Sequence, residues 1–250
     1  MNKIIHLNTN IYGATTLKDI KAPEQNNMAL HVCLNSEDVM KNRKELEKET
    51  LPLENWVLPW QKHTANVQRV SICDHGKGAY TKEDSILNVD ALYTTEPNTL
   101  IGVFTADCVG VLVVDETTPC VCVIHSGWKG TAQGIVDKVV KELISKDLLH
   151  PQFTKAYFSP SILFDSLEVG MEVIDLIHNL DFDVEPFIRY MPHQKAYLDN
   201  QGLCIQMLKN NGITQIVPST MDTKKEIETC FSYRNNKQTG EHFTFGFIKE

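Results

Sequence analysis

Residues 100–130 read LIGVFTADCVGVLVVDETTPCVCVIHSGWKG, and three apolar runs in this stretch decide the fold class. Residues 100–104 (LIGVF), 109–114 (VGVLVV) and 121–125 (VCVIH) are short, rich in β-branched side chains and bounded by turn residues. Runs of that kind predict buried strands. Thr117-Thr118-Pro119 predicts a hairpin connection between the second and third. By the two-residue period of a strand, Val121, Val123 and His125 share one face, while Cys120 and Cys122 point to the other and read as core.

A helix is expected directly downstream. From Thr131, a possible cap, the apolar positions Ile135, Val136, Val139, Val140, Leu143 and Ile144 form one helical stripe. Strand, glycine-rich turn and helix start is a common site geometry, because the first N–H groups of a helix are free to meet an anion. Further helices are predicted over about 36–48, 168–180 and 201–209. Ser36-Glu37-Asp38 starts the first with a capping side chain and acids at the positive dipole end. Val169, Val173, Leu176, Ile177 and Leu180 line one face of the second, and Asn210-Asn211-Gly212 ends the third. Pro52 and Pro59 punctuate a loop or edge segment, and residues 213–218 and 243–248 read as late strands. Strands and helices mix without strict alternation, so the class is α+β, with helices covering sheet faces. The 250 residues contain no linker, low-complexity tract or fixed-period repeat, which favours one domain over 1–250.

The formal net charge is -8. An acidic surface repels phosphate backbones, so nucleic-acid binding is not expected, although a local basic pocket is compatible with it. The first residues lack the apolar core and cleavage site of a secretory signal, and no apolar run approaches the ~20 residues of a membrane span. The seven cysteines are odd in number and show no framework spacing, which predicts free thiols in a cytoplasmic protein.

Three stretches carry chemistry: Gln61-Lys62-His63, Thr105-Ala106-Asp107-Cys108 and His125-Ser126-Gly127-Trp128-Lys129-Gly130. Each puts a metal-capable or nucleophilic side chain at the end of a predicted strand, where distant segments can converge. On the residues alone, a histidine ending an apolar strand is more often core than ligand, and the separations match no metal signature.

These stretches resemble the QxH, ADC and HAGWxG motifs of the YfiH/laccase-domain family, formerly described as multicopper polyphenol oxidases. Asn42-Arg43 is similar to the family's NR, Asp90-Ala91-Leu92 to its DAL, Leu167-Glu168-Val169-Gly170 to its YEVG and Phe231-Ser232-Tyr233-Arg234 to its FSYR. The resemblance implies a YfiH-like α+β fold, a single layered domain of mixed sheets flanked by helices. It also implies a catalytic zinc site made by His63, Cys108 and His125. Two imidazoles and a thiolate leave a tetrahedral position open, as catalytic zinc requires, and such an ion brings the pKa of water to about 7. The implied activity is phosphorolysis of adenosine, inosine and methylthioadenosine, with deamination of adenosine, so the partners are a purine nucleoside and phosphate. For the phosphate, Lys129 with the N–H groups of Gly130 and Thr131 is one candidate and Arg234 another; Gln61 and Asp107 would orient substrate or ligands. Lys129 reads equally as a surface cation, and Asp107 as a turn cap.

Three other readings stand beside this one. A hydrolase editing cytoplasmic peptidoglycan precursors would use the same ligands. A copper oxidoreductase is second to zinc, since two histidines and a cysteine also form a blue-copper core, but no H-x-H pair occurs among the nine histidines. A metal-bearing scaffold without activity is the third. Departures from the family pattern bear on it: Leu17 follows Thr15-Thr16 where an arginine is usual, Ser159-Pro160-Ser161-Ile162-Leu163 replaces a GPAIG-type segment, Met221-Asp222 replaces CT, and Glu241 replaces the arginine of TGR. All three ligands are intact, so these changes imply a shifted substrate preference.

Overall fold

The computed structural model describes residues 5–6, 10–115 and 117–250. Its strands in chain order are β1 (Ile5–His6), β2 (Ile11–Thr15), β3 (Trp56–Val57), β4 (Pro59–Trp60), β5 (Val67–Arg69), β6 (Ile86–Leu87), β7 (Ala91–Thr94), β8 (Leu100–Thr105), β9 (Val109–Asp115), β10 (Cys120–Ser126), β11 (Thr154–Phe158), β12 (Glu168–Gly170), β13 (Ile188–Met191), β14 (Lys195–Leu198), β15 (Gln215–Val217) and β16 (His242–Ile248). The α-helices are α1 (Ser36–Glu47), α2 (Trp128–Ala132), α3 (Ile135–Ser145), α4 (Met171–Ile177) and α5 (Asn200–Asn210).

The three apolar runs become β8, β9 and β10. β9 and β10 pair antiparallel from Cys120↔Asp115 to Ser126↔Val109. Asp115 Oδ1 organises the turn between them, accepting the N–H groups of Thr117 at 2.7 Å and Thr118 at 2.9 Å. β8 pairs instead with β16 and β3, so the chain crosses between two large sheets at residues 106–108. Their strand orders are β1-β2-β16-β8-β3 and β15-β11-β9-β10-β7-β5. The class is therefore α+β with mixed sheets, as the sequence pattern implied.

Side-chain alternation sets the layers. Val121 and Val123 join Leu112, Val114, Ile101 and Val103 in the core between the sheets. Cys120, Cys122 and Ile124 lie in the cluster built with Val136, Val139 and Val140 of α3 and Met207 and Leu208 of α5. Beyond the other sheet, Phe243, Phe245 and Phe247 cluster with Trp56, Phe104 and Leu46. The order is helix, sheet, sheet, helix, and each large apolar side chain fully buried in it stabilises by about 2–3 kcal/mol. No helix among the described residues is long and apolar enough to cross a membrane.

Several expected boundaries move, each for a local reason. The helix after β10 starts at Trp128, so Thr131 lies inside α2 and caps nothing; its hydroxyl meets Ser126 Oγ at 2.8 Å. Gly134 then adopts φ 70°, which breaks the helix before α3. The segment expected as a helix over 168–180 begins as β12, because residues 168–170 pair with β14, and α4 starts only at Met171. With that start, Val173, Ile174 and Ile177 fill the inward stripe and Leu176 is left 47% exposed. α1 is capped by Asn35, one residue before Ser36, through a 2.9 Å bond from the Glu37 N–H.

α1 also carries the Asn42-Arg43 pair. Arg43 is 1% exposed, and its guanidinium donates to the carbonyls of Met28, Gly78 and Ala79 at 2.7–2.9 Å. Asn42 donates to the carbonyls of Pro23 at 2.8 Å and Asn27 at 3.0 Å. The pair thus ties two loops to the helix.

Candidate metal centre

His63, Cys108 and His125 arrive from three separate segments. His125 is the second-last residue of β10 and is 3% exposed. Cys108 sits just before β9, after Asp107 turns the chain at φ 83°. His63 lies between β4 and β5 at φ 58°. Left-handed backbone at a residue with a Cβ costs about 1–2 kcal/mol, so neighbours must hold it. For the His63 loop that neighbour is Asp90, whose carboxylate accepts the N–H groups of Lys62 at 3.2 Å, His63 at 3.0 Å and Thr64 at 2.7 Å. The same carboxylate accepts Nδ1–H of His125 at 2.8 Å. Asp107 is held by the Thr223 hydroxyl and the Arg234 N–H, both at 2.7 Å.

The potential ligand atoms of the three residues all lie within 4.8 Å of one another. Cys108 Sγ is 3.8 Å from His63 Nε2, and the two imidazoles meet edge to face. Gly127 keeps this space clear: a Cβ there would lie 2.7 Å from His63 Cδ2 and 2.8 Å from Cys108 Sγ.

The electrostatics of the cluster favour a cation. Burial pushes the Cys108 thiol up, but His125 and His63 outweigh it and hold the thiol below its usual range. Burial likewise pulls His125 down, and Cys108 with Asp90 more than reverses this. Burial raises the Asp90 carboxyl too, yet the bonds from His125 and Thr64 bring it down to about 2. Cys108 and Asp90 thus set two groups able to carry negative charge against a buried imidazole, an arrangement that favours a proton or a metal ion between them. With Nδ1–H given to Asp90, Nε2 of a neutral His125 is free to coordinate. Two imidazole nitrogens and one thiolate fit a borderline-soft transition-metal ion, and the glycine-cleared space is where it would sit.

The centre opens into a cavity of about 510 Å³ walled in part by Trp60, Trp128 and Tyr233. Gln61, Asp107 and Arg234 line it, but their polar groups are partly committed. The Gln61 amide clasps Phe104, donating to its carbonyl at 2.8 Å and accepting its N–H at 2.7 Å. Arg234 Nη2 donates to the Glu168 carbonyl at 2.8 Å. Lys129 is not part of the lining; it is exposed, with its ammonium 5.5 Å over the Trp128 ring. The Thr131 N–H is spent on the Gly127 carbonyl at 2.9 Å, so the helix start offers it to no anion. Leu17 lines a separate surface groove, while Glu241 faces the cavity and pairs with His31 at 3.0 Å.

Asp90 is the cluster residue that residue-type reasoning passes over. An acid before a strand reads as a turn cap, and only the pairing of β7 with β10 brings it to His125. Trp60 and Tyr233 carried a signal, since Trp60 adjoins Gln61 of the QKH stretch and Tyr233 lies within FSYR.

The family model described as multi-copper polyphenol oxidoreductase laccase matches residues 17–249. The chain is 31% identical over 231 residues to purine nucleoside phosphorylase YlmD of Bacillus subtilis (strain 168), covering 91% of this chain and 83% of that protein. It is 31% identical over 196 residues to adenosine deaminase RL5 from an unknown prokaryotic organism, covering 77% and 74%. The crystal structure of Bacillus licheniformis hypothetical protein YfiH matches with a TM-score of 0.90 at 28% identity, over 96% of this chain and 93% of that one. Ordered motifs, near-complete coverage and shared fold agree: the chain belongs to the YfiH family, whose model is described as multi-copper polyphenol oxidoreductase laccase.

Proposed function

We propose that this protein is a zinc-dependent enzyme acting on purine nucleosides, by phosphorolysis of adenosine, inosine or methylthioadenosine and by deamination of adenosine. The observation that carries the proposal is the metal-capable cluster at the base of an aromatic-walled cavity, in a chain whose relatives bear those two activities in their names. His63, Cys108 and His125 would hold the ion. When bound, zinc supplies Lewis acidity and hydroxide near neutral pH.

The protein's own residues do the rest. Asp90 keeps the proton on Nδ1 of His125 and holds the His63 loop in place. Trp60, Trp128 and Tyr233 bring aromatic surface to the cavity for a purine, each with one ring face under a lysine ammonium. In deamination, the oxygen of water becomes bonded to C6 of adenosine, the C6–N bond breaks, and ammonia leaves. In phosphorolysis, an oxygen of dihydrogen phosphate bonds to C1′ as the C1′–N9 bond breaks; one phosphate proton ends on the purine, giving free base and ribose 1-phosphate. Seven free thiols support a reducing, cytoplasmic setting.

The direct test is to incubate purified protein with adenosine and phosphate and follow both products by chromatography. Adenine with ribose 1-phosphate, or inosine with ammonia, is expected. Unchanged adenosine overturns the proposal, and a blue, copper-loaded protein would move it to oxidoreductase chemistry.

A further inference from the structure

Three cations line the mouth of the metal cavity: Lys62, Arg234 and Lys237. Among the described residues, none of them has a carboxylate at ion-pair distance. Other exposed lysines among the described residues are paired, as in Lys41–Asp38 and Lys77–Asp74, or stand alone, as Lys44 and Lys138 do; what sets these three cations apart is that they converge on one cavity. Two carboxylates share the cavity: Asp107, hydrogen-bonded to the Thr223 hydroxyl and the Arg234 N–H, and Glu241, 3.0 Å from His31, so the three cations outnumber them. In a chain of net charge -8, an excess of cations over carboxylates on one cavity marks an anion site.

The cations are also held in place. The Lys62 ammonium sits 5.0 Å over the Trp60 ring and that of Lys237 3.9 Å over Tyr233, and both rings are cavity walls. Arg234 spends Nη2 on a carbonyl and keeps the rest of its planar fork, which matches phosphate oxygens. Two of the three are tied to ligand segments. Lys62 directly precedes His63, and the Arg234 N–H is bonded to Asp107, which directly precedes Cys108.

We infer that Lys62, Arg234 and Lys237 form a phosphoryl-anion subsite beside the metal centre, which takes the phosphate co-substrate. The inference rests on the proposed phosphorolysis, and of the two phosphate candidates in the sequence it takes Arg234, joined by Lys62 and Lys237, over the Lys129 helix start. A nucleotide's phosphate shares this chemistry, so the test has an arm for each source.

Calorimetric titration of inorganic phosphate into the wild type, Lys62→Gln, Arg234→Gln and Lys237→Gln reads the subsite without any turnover. Each neutral variant should bind phosphate roughly tenfold more weakly, with the triple variant losing binding and unfolding unchanged. The phosphate KM of phosphorolysis should rise in parallel. Adenosine 5′-monophosphate binding tighter than adenosine in the wild type, but not in the triple variant, would support the same subsite with a nucleotide as its source. Phosphate affinity unchanged in all three single variants, or lost instead in Lys129→Gln, overturns the assignment. Phosphate binding that follows these variants in a protein inert toward adenosine would keep the subsite and remove the nucleoside activity.

Discussion

Asp90 links both histidines of the centre, accepting Nδ1–H of His125 and the backbone N–H of His63. Asn at this position keeps the size but loses the charge and one acceptor oxygen, so Nδ1–H of His125 and the turn at His63 are no longer held by one anion. Partners of this kind typically contribute 10- to 100-fold to metal affinity. Asp90→Asn should therefore release zinc to a competing chelator at about that lower affinity, measured by equilibrium competition. Gly127 gives a purely steric counterpart. Its φ of -72° and ψ of 167° suit any residue, so alanine strains no backbone there, yet its methyl would occupy the ligand space. Gly127→Ala should lower metal content severalfold in elemental analysis while the urea midpoint of the metal-free protein stays near wild type. Equal metal content in both proteins would mean that the cleared space has no part in binding.

At the scale of elements, α1 acts through Arg43 as the tie between the segments at residue 28 and residues 78–79. Removing the guanidinium leaves buried carbonyls without donors, at about 1–3 kcal/mol for each such group. Arg43→Ala should destabilise by about 3 kcal/mol in urea unfolding, far more than a surface arginine such as Arg69. The central strands were legible because uninterrupted β-branched runs have few other fates, and α5 because Asn211 and Gly212 end it where its apolar positions end. The start of α4 was not legible. Val169 continues a helical stripe in sequence, and only the pairing of Val169 with Ala196 makes it a strand residue. The break at Gly134 was hidden likewise, since the apolar stripe begins just after it.

For the whole molecule, His242 makes stability depend on pH. It is fully buried in β16, donating from Nδ1 to the Thr16 carbonyl at 2.8 Å and accepting the Phe231 N–H on Nε2 at 3.0 Å. Burial depresses it from 6.5 to about 4, against the Thr16 carbonyl and the charges of Glu241 and Asp107, which favour the proton. The unfolded chain takes up that proton near pH 6.5, so between 6.5 and 4 it binds more protons than the native state. The contribution is complete above pH 6.5 and falls away as pH drops, by about 3 kcal/mol at pH 4. Urea titrations of metal-free protein at pH 7 and pH 4.5 should show this loss in the wild type and much less of it in His242→Gln. The metal site is also a property of the whole molecule. Its three candidate ligands carry no spacing signature, and their convergence depends on the crossing between sheets at residues 106–108 and on the Asp90 turn. The family resemblance could name them, whereas Lys62 and Lys237 became visible only once the loops were placed around the cavity.

The most direct measurement is zinc content by elemental analysis, beside adenosine turnover, for the wild type and Cys108→Ala. About one zinc per chain and measurable turnover are expected in the wild type, with both lost together in a variant that still folds. Stoichiometric zinc and undiminished turnover in Cys108→Ala would contradict a centre built on His63, Cys108 and His125.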